Sequence, residues 1–155
     1  MAFPRSLTGL ARLWWAPLTL CGAQAFAQLT PVGTWHSLDD EGKVEKAEIR
    51  IEEAGGVLTG RIVRLLDGRS AQGLRCEHCL DDRKDSPLAG LEILRNLRQD
   101  PEHTEVWNGG QVLDPGSGKV YRALLTVIDE GRHLRVRGYF GTPAFGRTQV
   151  WERVD

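Results

Sequence analysis

The feature that most limits the fold is a regular alternation of apolar and polar side chains along short segments. In residues 45–52, Ala47, Ile49 and Ile51 alternate with charged or polar residues. Because successive side chains of a β-strand point to opposite faces, this pattern predicts a strand with one buried and one solvated face. Gly55-Gly56 follows as a turn and leads into a segment rich in Val, Leu and Ile. The two segments therefore predict a β-hairpin.

Similar segments recur along the chain and predict seven strands. The 18 glycines support this interpretation, because most lie at intervals between apolar segments, as short connecting turns require. One segment differs: Ser86 suits a helix cap, Pro87 suits a first helical turn, and the apolar residues that follow have roughly helical spacing. This pattern predicts one short helix at Pro87–Gln99. The predicted strands comprise residues 33–38, 45–52, 57–66, 105–113, 118–129, 132–140 and 147–154.

Seven or eight antiparallel strands in a chain of 155 residues predict an all-β fold. An antiparallel β-barrel of about eight strands is favoured, because closing the sheet removes its exposed edges. The interior of such a barrel is just wide enough for side chains or for one small ligand. The net charge is −1, which argues against a basic protein that binds nucleic acid.

The N-terminal segment predicts export from the cytoplasm. Two arginines are the only charges before residue 39, and the apolar run of residues 13–27 ends in the small-x-small pattern that a signal peptidase reads. Residues 1–27 are therefore expected to be a signal peptide cut after Ala27, which leaves residues 28–155 as a single periplasmic or secreted barrel domain. The alternatives are a retained anchor or a lipoprotein attached at Cys21. No later stretch is long enough to cross a bilayer.

Two cysteines remain after this cut, and their spacing leaves several interpretations open. Cys76 and Cys79 favour a local disulfide, which oxidising compartments permit. A zinc site would need further ligands such as His78 or Asp81, and a redox role would need a helical context that is absent here. Haem attachment requires a histidine directly after the second cysteine, where Leu80 stands instead.

The sequence contains no recognisable catalytic pattern. Its serines and four histidines do not form the spacing of a nucleophile with an ordered base. Its paired glycines lack the strand–glycine–helix context of a phosphate-binding loop. No catalytic residue, cofactor or metal ion is predicted, and a binding protein is favoured over an enzyme.

Short motifs cover nearly the whole chain after residue 30. In order, they are Pro31–Trp35, Thr59–Val63, Pro87–Leu94, Trp107–Pro115, Gly118–Tyr121, Leu134–Gly141 and Gly146–Arg153. Taken together, this ordered set resembles the bacterial family called domain of unknown function 2147. The resemblance implies a small secreted protein with a lipocalin-like barrel, and it leaves the biochemical activity open.

The first and last strands also resemble the lipocalin superfamily signature. Gly33-x-Trp35 stands at the start of the first predicted strand, and Arg153 stands at the end of the last. The resemblance implies that the tryptophan closes one barrel end and that the guanidinium stacks on its ring. Both residues are therefore assigned to structure, with a role in ligand binding as the alternative.

Alternation in the last two strands suggests a polar pocket. Arg137 and Tyr139 share one face of their strand, and Arg147 and Gln149 share one face of the next. If all four face the interior, they line a cationic pocket for the carboxylate or phosphate of a lipid-like ligand, because guanidinium groups pair bidentately with these anions. The alternative is that this face is solvated, since an unpaired arginine is costly to bury.

Tyr121 and Trp107 are further candidates to border a cavity, although aromatic residues at such positions often pack in the core or at the rim. The sequence thus predicts a binding or carrier protein for a small amphipathic, anionic molecule. Two other functions remain open. One is a structural or protein-interaction role for a solid barrel in the cell envelope, and the other is an envelope hydrolase.

Overall fold

Eight antiparallel strands, joined in sequence order, close into one barrel. The computed structural model describes residues 29–39 and 41–155, so the predicted signal peptide lies outside the described residues. A turn of 3₁₀ helix at Asp129–Gly131 joins the sixth and seventh strands. The strands are β1 (Gly33–Leu38), β2 (Glu45–Ala54), β3 (Val57–Leu65), β4 (Glu92–Gln99), β5 (Val106–Asp114), β6 (Lys119–Ile128), β7 (His133–Tyr139) and β8 (Gly146–Arg153).

The barrel and its seven predicted strands are confirmed. In β2, Ala47, Ile49 and Ile51 are buried while most of their neighbours are exposed, as the alternation requires. Each strand pairs with the next, and β1 pairs with β8 to complete the closure. No helix in the part of the chain that the structure describes is long and apolar enough to cross a membrane.

The predicted helix at Pro87–Gln99 is wrong, because its second half is strand β4. Leu94 and Leu97 are both fully buried although they are three residues apart, a spacing typical of helices. Asn96 lies between them with a φ of 58°, and the register between β3 and β4 is irregular. These irregularities break the period of two, so a bulged strand carries a pattern that resembles a helix.

One half of the barrel is solid. Because neighbouring strands are antiparallel, all the odd-numbered strands begin at this end of the barrel and all the even-numbered strands end there. We call it the closed end. The large side chains there are buried in the apolar core of the barrel. They are Trp35, Leu58, Leu97, Trp107, Leu125 and Leu134.

Trp35 and Arg153 form the cap of the closed end. The guanidinium carbon of Arg153 lies 4.1 Å from the centroid of the Trp35 ring. The Trp35 indole N–H donates to the carbonyl of Pro31 (2.8 Å). Arg153 donates hydrogen bonds to three backbone carbonyls, those of Thr30 (2.7 Å), Val32 (2.9 Å) and Gly131 (2.6 Å). The cap thereby joins the start of the barrel, the β6–β7 connection and the last strand.

Candidate functional site

The opposite end of the barrel, which we call the open end, contains a cavity of about 870 Å³. This volume falls within the range of roughly 300–1,000 Å³ that ligand sites occupy. Its lining surface is mainly apolar, although polar and charged side chains, among them Glu77 and Asp114, share the wall. The apolar residues at inward positions of the strands include Ile49, Ile62, Ile93, Val112, Val136 and Trp151. The cavity therefore suits an apolar body rather than a fully polar molecule.

Arg147, Gln149 and Tyr121 place polar groups on this apolar wall. In the β7–β8 register, Gln149 lies opposite Val136. Because paired residues of antiparallel strands share a face, Gln149 lies on the same side as the buried Val136. The Trp151 indole N–H donates to the Gln149 side-chain oxygen (3.3 Å). With Tyr139, which borders the rim, four of the six predicted ligand-binding residues lie at the cavity.

Arg137 does not join them, which corrects the expected common face. Gly138 lies opposite Arg147 in the register, so Arg137 lies on the other side of the sheet. Its guanidinium instead holds the β7–β8 connection from outside. It donates to the carbonyls of Pro143 (2.6 Å) and Ala144 (3.4 Å) and to the Thr148 hydroxyl (2.6 Å). The error arose because strand pairing, and not the sequence alone, fixes which faces of two strands coincide.

Two predicted aromatic residues lie in different surroundings. Tyr139 is half-buried at the end of β7 and borders the cavity at its rim. Trp107 is 4% exposed and packs in the apolar core of the closed half, outside the cavity wall. The structure therefore places Tyr139 near the predicted site and Trp107 in the alternative position, the core.

The long β3–β4 loop, residues 66–91, lies at the open end and contributes to the cavity wall. It carries the predicted local disulfide between Cys76 and Cys79, whose Cα atoms are 5.4 Å apart. Both cysteines are fully buried, and the Cys76 amide donates to the carbonyl of Ser86 (2.9 Å). Among residues 29–39 and 41–155, no group of three or more His, Cys, Asp or Glu is placed to hold a metal ion.

Two contacts fix this loop to the barrel. Gly118, with a φ of 71°, packs so closely against the backbone of His78 that a Cβ would overlap the His78 carbonyl. Arg83 is 3% exposed, and it donates to the Asp81 carboxylate and to the carbonyl of Glu92 (2.9 Å). The Arg83 guanidinium lowers the pKa of Asp81 to about 2, although partial burial acts in the opposite direction.

A second ion pair holds the same loop from the outside. Arg95 of β4 donates to both carboxylate oxygens of Asp82 (2.8 Å each). These hydrogen bonds raise the pKa of Arg95 and lower the pKa of Asp82, so both partners are charged at neutral pH.

Sequence reasoning missed several residues that border the cavity. Lys46, Arg69 and Arg75 lie on its wall, as do Phe140 and Phe145. Arg69 and Arg75 lie in the β3–β4 loop, where no periodic pattern indicates the direction of a side chain. Lys46 lies near the start of β2, on the face that the alternation predicts to be solvated. The two phenylalanines flank the β7–β8 turn. They stand out in the structure because both rings are exposed to solvent, which their spacing in the sequence does not indicate.

A closed antiparallel barrel, solid at one end and hollow at the other, with a tryptophan and an arginine stacked at the solid end, is a lipocalin-like barrel. A solved structure of this class is protein HP1028 from the human pathogen Helicobacter pylori, described as a member of the lipocalin family. The likeness has a TM-score of 0.70 at 16% sequence identity and covers 82% of this chain and 84% of that one.

The sequence comparison identifies the particular family. Residues 33–153 match the family described as "uncharacterized protein conserved in bacteria", domain of unknown function 2147. The chain belongs to this family. A comparison with curated proteins gives no match.

Proposed function

We propose that the protein binds a small amphipathic anion, with a carboxylate or phosphate group on an apolar body, inside the open half of the barrel. The observation that carries this proposal is the guanidinium of Arg147 on the wall of a cavity of about 870 Å³ whose lining surface is mainly apolar. A guanidinium pairs bidentately with such anions, and the aliphatic wall favours an apolar tail.

The position of the polar groups sets the orientation of the ligand. Arg147 is the second residue of β8 and is exposed, so it lies near the mouth, whereas Trp151 is buried deeper along the same strand. A bound molecule would hold its anionic group at Arg147 and Gln149 and direct its tail towards Ile49 and Trp151. Burying the tail contributes about 25 cal/mol for each Å² of apolar surface removed from water.

The lipocalin-like fold supports this proposal, since barrels of this size can enclose one small ligand. The alternative of a solid barrel that acts only through its outer surface is not supported, because the open half is hollow. Export is part of the same proposal. The predicted signal peptide at residues 1–27 would deliver the protein to the periplasm or the medium, and the protein would encounter its ligand there.

Two related dyes test the proposal on the purified protein. Anilinonaphthalene sulfonate is an amphipathic anion, and phenylnaphthylamine has a similar apolar body without the charge. We expect both to bind with increased fluorescence. Arg147→Gln should weaken binding of the anionic dye about fivefold, because a charge-assisted hydrogen bond contributes ~1.5–3 kcal/mol and exposure of Arg147 reduces this to ~1 kcal/mol. Binding of the neutral dye should change less than about twofold.

Arg135→Gln is the matched control, because Arg135 is exposed and lies opposite Val150, outside the cavity wall. It should leave both affinities unchanged. Circular dichroism must show that each variant is folded, since the anionic dye also binds partly unfolded states. The proposal fails if neither dye binds the folded protein, or if Arg147→Gln and Arg135→Gln bind the anionic dye equally well.

A further inference from the structure

Two large aromatic side chains project from the open end into solvent. Phe140 and Phe145 flank the connection between β7 and β8, and they are 57% and 79% exposed. Single exposed apolar residues are common on proteins, but two phenylalanines on one turn beside a cavity mouth form an apolar tip. We call these two residues the aromatic tip.

The tip is held in place. The Phe145 amide donates to the carbonyl of Thr142 (3.1 Å), and the Phe140 ring lies 4.6 Å from the Tyr121 ring, centroid to centroid. The Arg137 guanidinium braces the same turn from outside through the contacts described above. These contacts order the backbone of the turn that carries the two rings.

The strands that carry the tip form a cationic panel. Residues 115–128 and 131–151 contain no Asp or Glu, although the whole chain has a net charge of −1. The exposed or half-buried cations of this panel, which comprises β6, β7 and the first six residues of β8, are Lys119, Arg122, Arg137 and Arg147 towards the open end and Arg135 in the closed half. The remainder of the chain must then carry a net negative charge. This segregation orients the molecule in the field of an anionic surface.

We infer that the β6–β8 side of the open end docks on an anionic phospholipid bilayer, with the aromatic tip entering the headgroup region and Lys119, Arg122 and Arg137 facing the lipid phosphates. Aromatic side chains favour the interface between headgroups and acyl chains, and clustered Arg and Lys are attracted to anionic lipids. This docking does not depend on the proposed ligand, although it would place the cavity mouth against the membrane.

Vesicle flotation with the purified protein tests the inference. We expect binding to vesicles that contain phosphatidylglycerol, weaker binding to pure phosphatidylcholine, and loss of binding at high salt. Phe145→Ser should reduce the binding about tenfold, because the most exposed aromatic anchor is removed. Val154→Ser is the matched control. Val154 is 50% exposed next to the cap residue Arg153, so its replacement should have no effect.

A second pair of substitutions separates docking from ligand binding. Lys119 and Arg122 are exposed, lie towards the open end and are outside the cavity wall. The double variant K119Q/R122Q should reduce vesicle binding severalfold and leave the dye affinities unchanged. The inference is overturned if wild type and Phe145→Ser bind the vesicles equally well. It is also overturned if wild type fails to bind vesicles that contain phosphatidylglycerol. Sedimentation velocity that shows a wild-type dimer lost in Phe145→Ser, without vesicle binding, would assign the tip to a second copy of the chain instead.

Discussion

Arg153 illustrates how one side chain can hold distant parts of the chain together. Its guanidinium stacks on Trp35 and donates to carbonyls at residues 30, 32 and 131. A planar group with donors on several edges can make all these contacts at once, which an ammonium group cannot. Gly33 makes room for this group, since a Cβ there would collide with the Arg153 guanidinium.

Arg153→Met should therefore lower the free energy of unfolding by about 2–4 kcal/mol, because it removes charge-assisted hydrogen bonds and a cation–π contact. Urea denaturation followed by circular dichroism measures this loss. Arg135→Met is the control, since an exposed arginine on the outer face should change stability by less than about 0.5 kcal/mol. A loss below about 0.5 kcal/mol for Arg153→Met would show that the cap contributes little to folding.

At the scale of elements, the position of the β3–β4 loop depends on the contact of His78 with Gly118 in the β5–β6 turn. Gly118→Ala should displace the loop, because the new Cβ would overlap the His78 carbonyl and the residue would keep an unfavourable φ. We expect a loss of about 1–3 kcal/mol in the free energy of unfolding. We also expect faster tryptic cleavage within residues 66–91. Gly73→Ala in the same loop meets no atom within 4 Å and should behave as wild type.

The elements also show what sequence alone can predict. The alternation in residues 45–52 identified strand β2 correctly. Alternate side chains of a half-buried strand face the core and the solvent, so apolar and polar residues alternate in its sequence. Strand β4 was mistaken for a helix, because the left-handed conformation of Asn96 and the irregular pairing with β3 are invisible in the sequence.

The candidate site was predictable only in part, for a related reason. Arg147 and Gln149 reach the cavity wall as expected, but Arg137 does not, because the face that two strands share depends on their register. The loop contributions, such as Arg75, depend on how a non-repetitive segment folds back over the mouth. The local disulfide was predictable, because only two residues separate its cysteines and local geometry decides it.

At the scale of the whole molecule, the seam between β1 and β8 is the shortest part of the sheet. The two strands pair at only two described positions, Trp35 with Arg153 and His36 with Glu152, whereas β6 and β7 pair at seven. The Val154 amide extends the contact by donating to the carbonyl of Thr34 (2.9 Å). Closure therefore depends heavily on the cap beside it.

Native-state hydrogen exchange should detect this seam. We expect the Val154 amide to exchange through a local opening that costs at least about 1 kcal/mol less than global unfolding. The amides between β6 and β7 should exchange only by global unfolding and serve as the internal reference. Equal protection at both places would mean that the barrel opens only as one cooperative unit.

The packed half of the barrel limits how a ligand could enter and leave. In the part of the chain that the structure describes, the buried side chains of Trp35, Leu58 and Leu134 block passage along the barrel axis. A bound ligand would then have to leave through the open end, by which it entered. A second ligand could bind only after the first had left. If the proposed ligand is bound, the barrel holds one ligand at a time and does not form a channel through the molecule.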